Sequence, residues 1–156
     1  MESDPMLLIM CHAGANRFAF ESRDVLEVLP RVNLHRLPDS PPWLAGLMIF
    51  RGAPIPVIDL TQLMQSAPCP NRLSSRIAVV EIALKLSLQR FGVLAEQMGL
   101  NEFNADQKHS GAETGGRTAM GKLCLDEQGV FQIIDPTSLV REDRLAILFP
   151  DTAGQH

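Results

Sequence analysis

Short runs of β-branched and other apolar residues, each closed by turn formers, dominate the hydrophobic pattern of the chain and predict strands rather than helices. Leu7 to Cys11 is the first run. The stretch His12-Ala13-Gly14-Ala15-Asn16 turns the chain and Arg17-Phe18-Ala19-Phe20 returns it, so the opening reads as a hairpin. Further strands are predicted at Leu47 to Phe50, Pro54 to Ile58, Ile77 to Ile82, Leu86 to Leu94, Lys122 to Leu125 and Val130 to Ile134. The pattern changes in two places. Ser22 stands where it would cap a helix over Arg23 to Leu29, with Val25, Leu26, Val28 and Leu29 as its apolar face and Pro30 as its stop. Asp59 heads Asp59-Leu60-Thr61-Gln62-Leu63, where its carboxylate would cap a second short helix with Gln62 as the reciprocal partner. The fold class that follows is mainly β with a few short helices.

An internal echo organises these elements. Val57-Ile58-Asp59-Leu60-Thr61-Gln62-Leu63 is repeated as Ile133-Ile134-Asp135-Pro136-Thr137-Ser138-Leu139, 76 residues later, and Arg17-Phe18 returns as Arg90-Phe91, 73 residues later. Two copies at this spacing are too few for a propeller and too far apart for a solenoid, so a pseudo-symmetric pair of β subdomains is expected. Ser66 to Ser75 reads as a turn-rich linker between the halves. Asn101 to Gly121 reads as a loosely ordered loop without apolar period, and Asp151 to His156 as a fraying end.

Composition narrows the partners. At 156 residues the chain is the size of one domain and buries enough surface to fold without a staple. A formal charge of −4, with no basic run, argues against nucleic acid and anionic membrane, and with one Trp and no Tyr there is little to stack on bases. The start Met1-Glu2-Ser3-Asp4-Pro5 lacks basic residues and the run Met6 to Cys11 is too short for a signal core or a span, so a cytoplasmic protein without direct membrane insertion is expected. Cys11, Cys69 and Cys124 are odd in number and widely spaced, the pattern of free apolar thiols rather than of a disulfide framework.

Candidate chemistry is thin. Gly116-Arg117-Thr118-Ala119-Met120-Gly121-Lys122 has the spacing of a phosphate loop, which makes a small nucleotide-binding β-barrel or enzyme the alternative reading. Leu123, however, stands where Ser or Thr should hold magnesium, and the loop opens a predicted strand instead of a helix. His12, His35, His109 and His156 share no metal-ligand spacing. Adjacent Cys11 and His12 point to opposite faces of a strand, and Asp59 and Asp135 are better employed as caps than as an acid–base pair. No catalytic residue, cofactor or metal is expected.

The segment Pro42-Trp43-Leu44-Ala45-Gly46-Leu47-Met48-Ile49-Phe50-Arg51-Gly52-Ala53-Pro54-Ile55-Pro56-Val57-Ile58-Asp59-Leu60 places one Arg at the lip of a turn between two apolar stretches. Pro54 and Pro56 withhold donors at alternate positions, which marks an edge. This segment resembles the CheW-like domain, as do Phe18-Ala19-Phe20, Val25 to Leu29 and Gly129 to Asp135. The resemblance implies two pseudo-symmetric five-stranded SH3-like β-barrel subdomains in one domain over residues 1–156, at about 16–65 and 76–135, with terminal strands crossing between them. It implies a non-enzymatic adaptor coupling the cytoplasmic tips of chemoreceptors to the regulatory domain of a histidine kinase, recruited to membrane-associated receptor arrays. The family's receptor-contact positions fall at Val25, Glu27, Gly46 and Arg51. Met48-Ile49-Phe50 departs from the more frequent Ile-Asn-Leu, and Phe50, were it exposed, would alter partner choice.

Overall fold

The computed structural model describes residues 5–104, 121–140 and 143–150. Nine strands account for most of them: β1 (Met6–Ala13), β2 (Asn16–Glu21), β3 (Val25–Pro30), β4 (Leu44–Phe50), β5 (Ala53–Asp59), β6 (Ser75–Leu84), β7 (Ser87–Phe103), β8 (Gly121–Asp126) and β9 (Gly129–Ile134). Helices α1 (Leu60–Gln65) and α2 (Asp143–Leu148) and two 3₁₀ segments, Ser22–Asp24 and Pro136–Val140, complete the set. The main strand path runs β3-β6-β7-β1-β2-β9-β8, while β5 joins β7 and carries β4 beyond it, so the sheet is open. The 17-residue β7 is the shared spine. Its first half runs beside β6 and β5, and its second half pairs with β1.

The fold is mainly β with a few short helices, as the apolar runs predict, and the opening hairpin and every predicted strand are present. One element differs. The residues expected as a helix over Arg23 to Leu29 form a single 3₁₀ turn followed by β3, and Ser22 caps nothing. With no side-chain cap at its start, a helix here would forgo the pairing that the same residues make as a strand with β6 from Val80 to Arg76.

The echoed segments meet in a reciprocal way. β2 pairs in parallel with β9, bringing Ala19 opposite Ile133, and β7 pairs in parallel with β5, bringing Gly92 opposite Val57. Offsets of 73 and 76 residues interconvert these two pairs, so each half lends a strand to the other's sheet. Packing repeats the pattern: Ile58 and Ile134 both enter a central core with Phe20 and Phe91. Their neighbours separate, Val57 into a cluster with Met48, Phe50 and Leu94, and Ile133 into one with Leu8, Phe103 and Phe131. Period-2 alternation sends successive residues to opposite faces, which is how one motif feeds both a shared core and a private one.

The segment read as a loose linker is pinned. Asp59, almost fully buried, accepts from Gln62 N at 3.1 Å to cap α1 and from Cys69 N at 2.9 Å. Arg31 donates to Cys69 O and Pro70 O, and the Ser75 hydroxyl to Pro70 O. The turn-rich composition signalled the irregular path but not these long-range bonds. Gln62 does not complete a reciprocal cap, because Asp59 N donates to Trp43 O instead. Asp135 accepts from Thr137 N at the head of the second 3₁₀ segment. Of the stretch Asn101 to Gly121 read as a loop, residues 101–103 end β7 and Gly121 opens β8, while residues 105–120, like the Asp151 to His156 end, lie outside the described residues.

Candidate partner-binding site

β4 and β5 are joined by two residues, Arg51 and Gly52, between the closing pair Phe50 and Ala53. Both have positive φ, +50° and +82°, the geometry of a type I′ turn whose twist matches that of the strands. The turn pushes the Arg51 side chain out at the hairpin tip. There its Nη2 lies 3.6 Å from Glu27 Oε1 of β3, and its guanidinium sits 4.8 Å from the centroid of the Phe50 ring. Both partners of the ion pair are about half exposed, so water screens it and it fixes orientation more than it stabilises. Arg90, itself bonded to Glu81 at 2.9 Å, reaches 5.9 Å from the same ring. Phe50 therefore carries two guanidinium groups.

Of the four positions singled out in the sequence, the structure brings Glu27 and Arg51 into contact. Val25 is half buried against the central core, and a bulge between Val25 and Glu27 changes the face that follows. Gly46 is buried in β4 with φ +147°, and a Cβ there would stand 2.7 Å from His35 O. It shapes the hairpin through its backbone. Phe50 is buried and Ile49 is the exposed neighbour, at 68% exposure, because the inward set in β4 is Leu44, Gly46, Met48 and Phe50. The condition set for Phe50 is therefore not met, and alternation carried on from Met48 points the same way. The contributions of Phe50 and Arg90 needed the tertiary structure.

β5 presents an unusual margin. Residues 53–56 pair only with β4, and pairing with β7 begins at Val57. With Phe50 and Ala53 closing a two-residue turn, Pro54 and Pro56 occupy positions whose N–H would point away from β4. That outer margin has no donors there.

The remaining chemistry-bearing residues serve structure. Burial pushes the Cys11 thiol up to about 12, with the nearby Cys69 adding to the effect, and burial likewise raises Cys69. Arg17 forms a two-point pair with Asp126, at 2.6 and 3.0 Å, which holds that carboxyl below its usual range. Of the phosphate-loop spacing only Gly121 and Lys122 are described, and they open β8. No group of metal-ligating side chains occurs among the described residues, and no described helix is long and apolar enough to cross a membrane.

The described residues thus form an open β-sheet with two private cores, a shared one and a charged hairpin tip. A family model described as CheW-like domain matches residues 7–144. The chain belongs to that family, one of chemotaxis scaffold and adaptor proteins. No curated protein sequence matches it. Among solved structures it is similar to the scaffolding protein TtCheW from Thermoanaerobacter tengcongensis, with a TM-score of 0.74, 21% identity, and coverage of 90% of this chain and 96% of that one. That structure shares the fold.

Proposed function

We propose that this chain is a cytoplasmic, non-enzymatic adaptor that couples the helical tips of chemoreceptors to the regulatory domain of a CheA-type histidine kinase. The receptor side is read by β3 and the β4–β5 tip. The observation that carries this is the Arg51–Glu27 pair, held over Phe50 and open to solvent, with Ile49 exposed beside it. A receptor tip is an amphipathic helical pair, so it would lay apolar side chains on Ile49 and the edge of Val25 while the charges set register. Gly46 acts by letting the hairpin pack against residues 34–35. The halves at about 16–65 and 76–135 act as one coupling unit, with the receptor tip in the groove between them and the kinase domain on one barrel face. No turnover is needed: differential contacts of about 1–3 kcal/mol between assembled states suffice to pass a signal.

The test is capture of receptor fragment and kinase by the wild type, Arg51→Asp, Glu27→Arg and the double swap. Receptor capture should fall at least about tenfold in either single variant, with kinase capture unchanged. Equal receptor capture by all four proteins would remove the site assignment.

A further inference from the structure

The other end of the same strands carries a second charged feature. Just past β3 and at the base of β4, a cleft of about 370 Å³ is lined by Arg31, Arg36, Asn33, Asn71, Gln62 and the buried Asp59. Asp59 is spent, since both of its oxygens accept backbone N–H groups. Arg31 is fixed by Cys69 O and Pro70 O, which orient its guanidinium and leave its Nη2 and Nε uncommitted among the described residues. Arg36 and the amides of Asn33, Asn71 and Gln62 have no side-chain bond among the described residues. Two Arg and one Asp among the lining residues leave a single surplus positive charge in a chain of formal charge −4.

We propose that this cleft binds a carboxylate side chain, Asp or Glu, presented by an acidic segment of a partner protein. One surplus charge matches one carboxylate and is half of what a phosphate dianion would require. A planar guanidinium with neighbouring amide donors supplies the in-plane bonds that a carboxylate accepts at both oxygens. Val32 and Pro42 on the wall offer apolar contact to the methylene stem. Ala45 lies at the base of β4 and Arg51 just past its last residue, six positions and about 20 Å further along, so this site and the hairpin tip can be occupied together. The inference stands on the cleft alone and is independent of the receptor reading.

The experiment is a chemical-shift titration of the full chain with an end-capped peptide of alternating Glu and Gly. Comparators are the Gln-for-Glu peptide and inorganic phosphate, and the proteins are wild type, Arg36→Glu and Arg51→Asp. Arg36 is exposed, so its substitution leaves the fold intact. Expected are saturable shifts at residues 31–36 and 68–71 with the Glu peptide, a loss of at least about tenfold in Arg36→Glu, unchanged binding in Arg51→Asp, and weakening by salt. No saturable binding, equal binding of the Gln peptide, unchanged affinity in Arg36→Glu, or phosphate binding as tightly as the peptide would each overturn it.

Discussion

Replacing Gly46 by Ala tests the geometry beneath the hairpin. The added Cβ would stand 2.7 Å from His35 O, closer than real Cβ contacts come, and 3.0 Å from His35 C and Leu34 Cβ, which is tight. The carbonyl cannot retreat freely, because His35 N donates to Leu47 O at 2.9 Å and Leu47 N to His35 O at 2.8 Å. A side chain at φ +147° costs about 1–3 kcal/mol and the overpacking about 1–3 kcal/mol more, giving a loss of about 2–6 kcal/mol. Gly52→Ala is the internal control. Its φ is +82° but no atom lies within 4 Å of the new Cβ, so only the conformational part remains, about 1 kcal/mol. Urea unfolding followed by the fluorescence of Trp43, which packs on the central core, reads both. With a slope of about 2 kcal/mol per molar, the midpoint should fall by about 1–3 M for Gly46→Ala and by about 0.5 M for Gly52→Ala. Equal shifts in the two variants would show that the clash is relieved at no cost and that Gly46 has no structural duty. If the larger shift is seen, loss of partner binding on substituting Gly46 reports a displaced hairpin rather than a missing contact.

Acid should weaken the β2–β8 connection. The Asp126 carboxyl lies below its usual range because Arg17 bonds it, so its contribution is complete above the unfolded-state value near 4 and is lost as pH falls through the lower folded value; a stability profile taken in Arg17→Met should be flatter over that window than wild type. Asp59→Ala removes the acceptor of two backbone donors, one of them buried, and should cost about 2–4 kcal/mol, whereas Asp59→Asn, keeping one acceptor oxygen, should cost less; equal losses would exclude the double-cap role. The three described thiols, all buried, should react with a disulfide reagent only on unfolding, and rapid labelling of Cys11 in the native protein would contradict its burial.

Much of this architecture is legible in the apolar runs because Leu7 to Cys11 and Ile77 to Ile82 are short and apolar almost throughout, which marks strands buried on both faces over most of their length. The cap at Asp59 is equally local, a carboxylate one residue before a helix. β3 was hidden for the opposite reason: Val25-Leu26-Glu27-Val28-Leu29 serves either period, and only the waiting edge of β6 decides between them. The bonds holding Cys69 and Pro70 join residues 10 and 39 positions apart, and no local pattern encodes such a distance. At the hairpin tip, the turn residues announce Arg51, but its contact with Glu27 depends on β3 being a strand at all. Phe50 as a platform for two cations follows from packing alone.

Pro54 and Pro56 bear on how a scaffold of this kind can be used. Edge strands with free amides tend to recruit further chains by zipping backbone to backbone, an event that is indiscriminate toward sequence and slow to reverse. Along this stretch of β5 the rings forbid it. Neighbours there must be chosen by their side chains, and what is joined that way can also be let go.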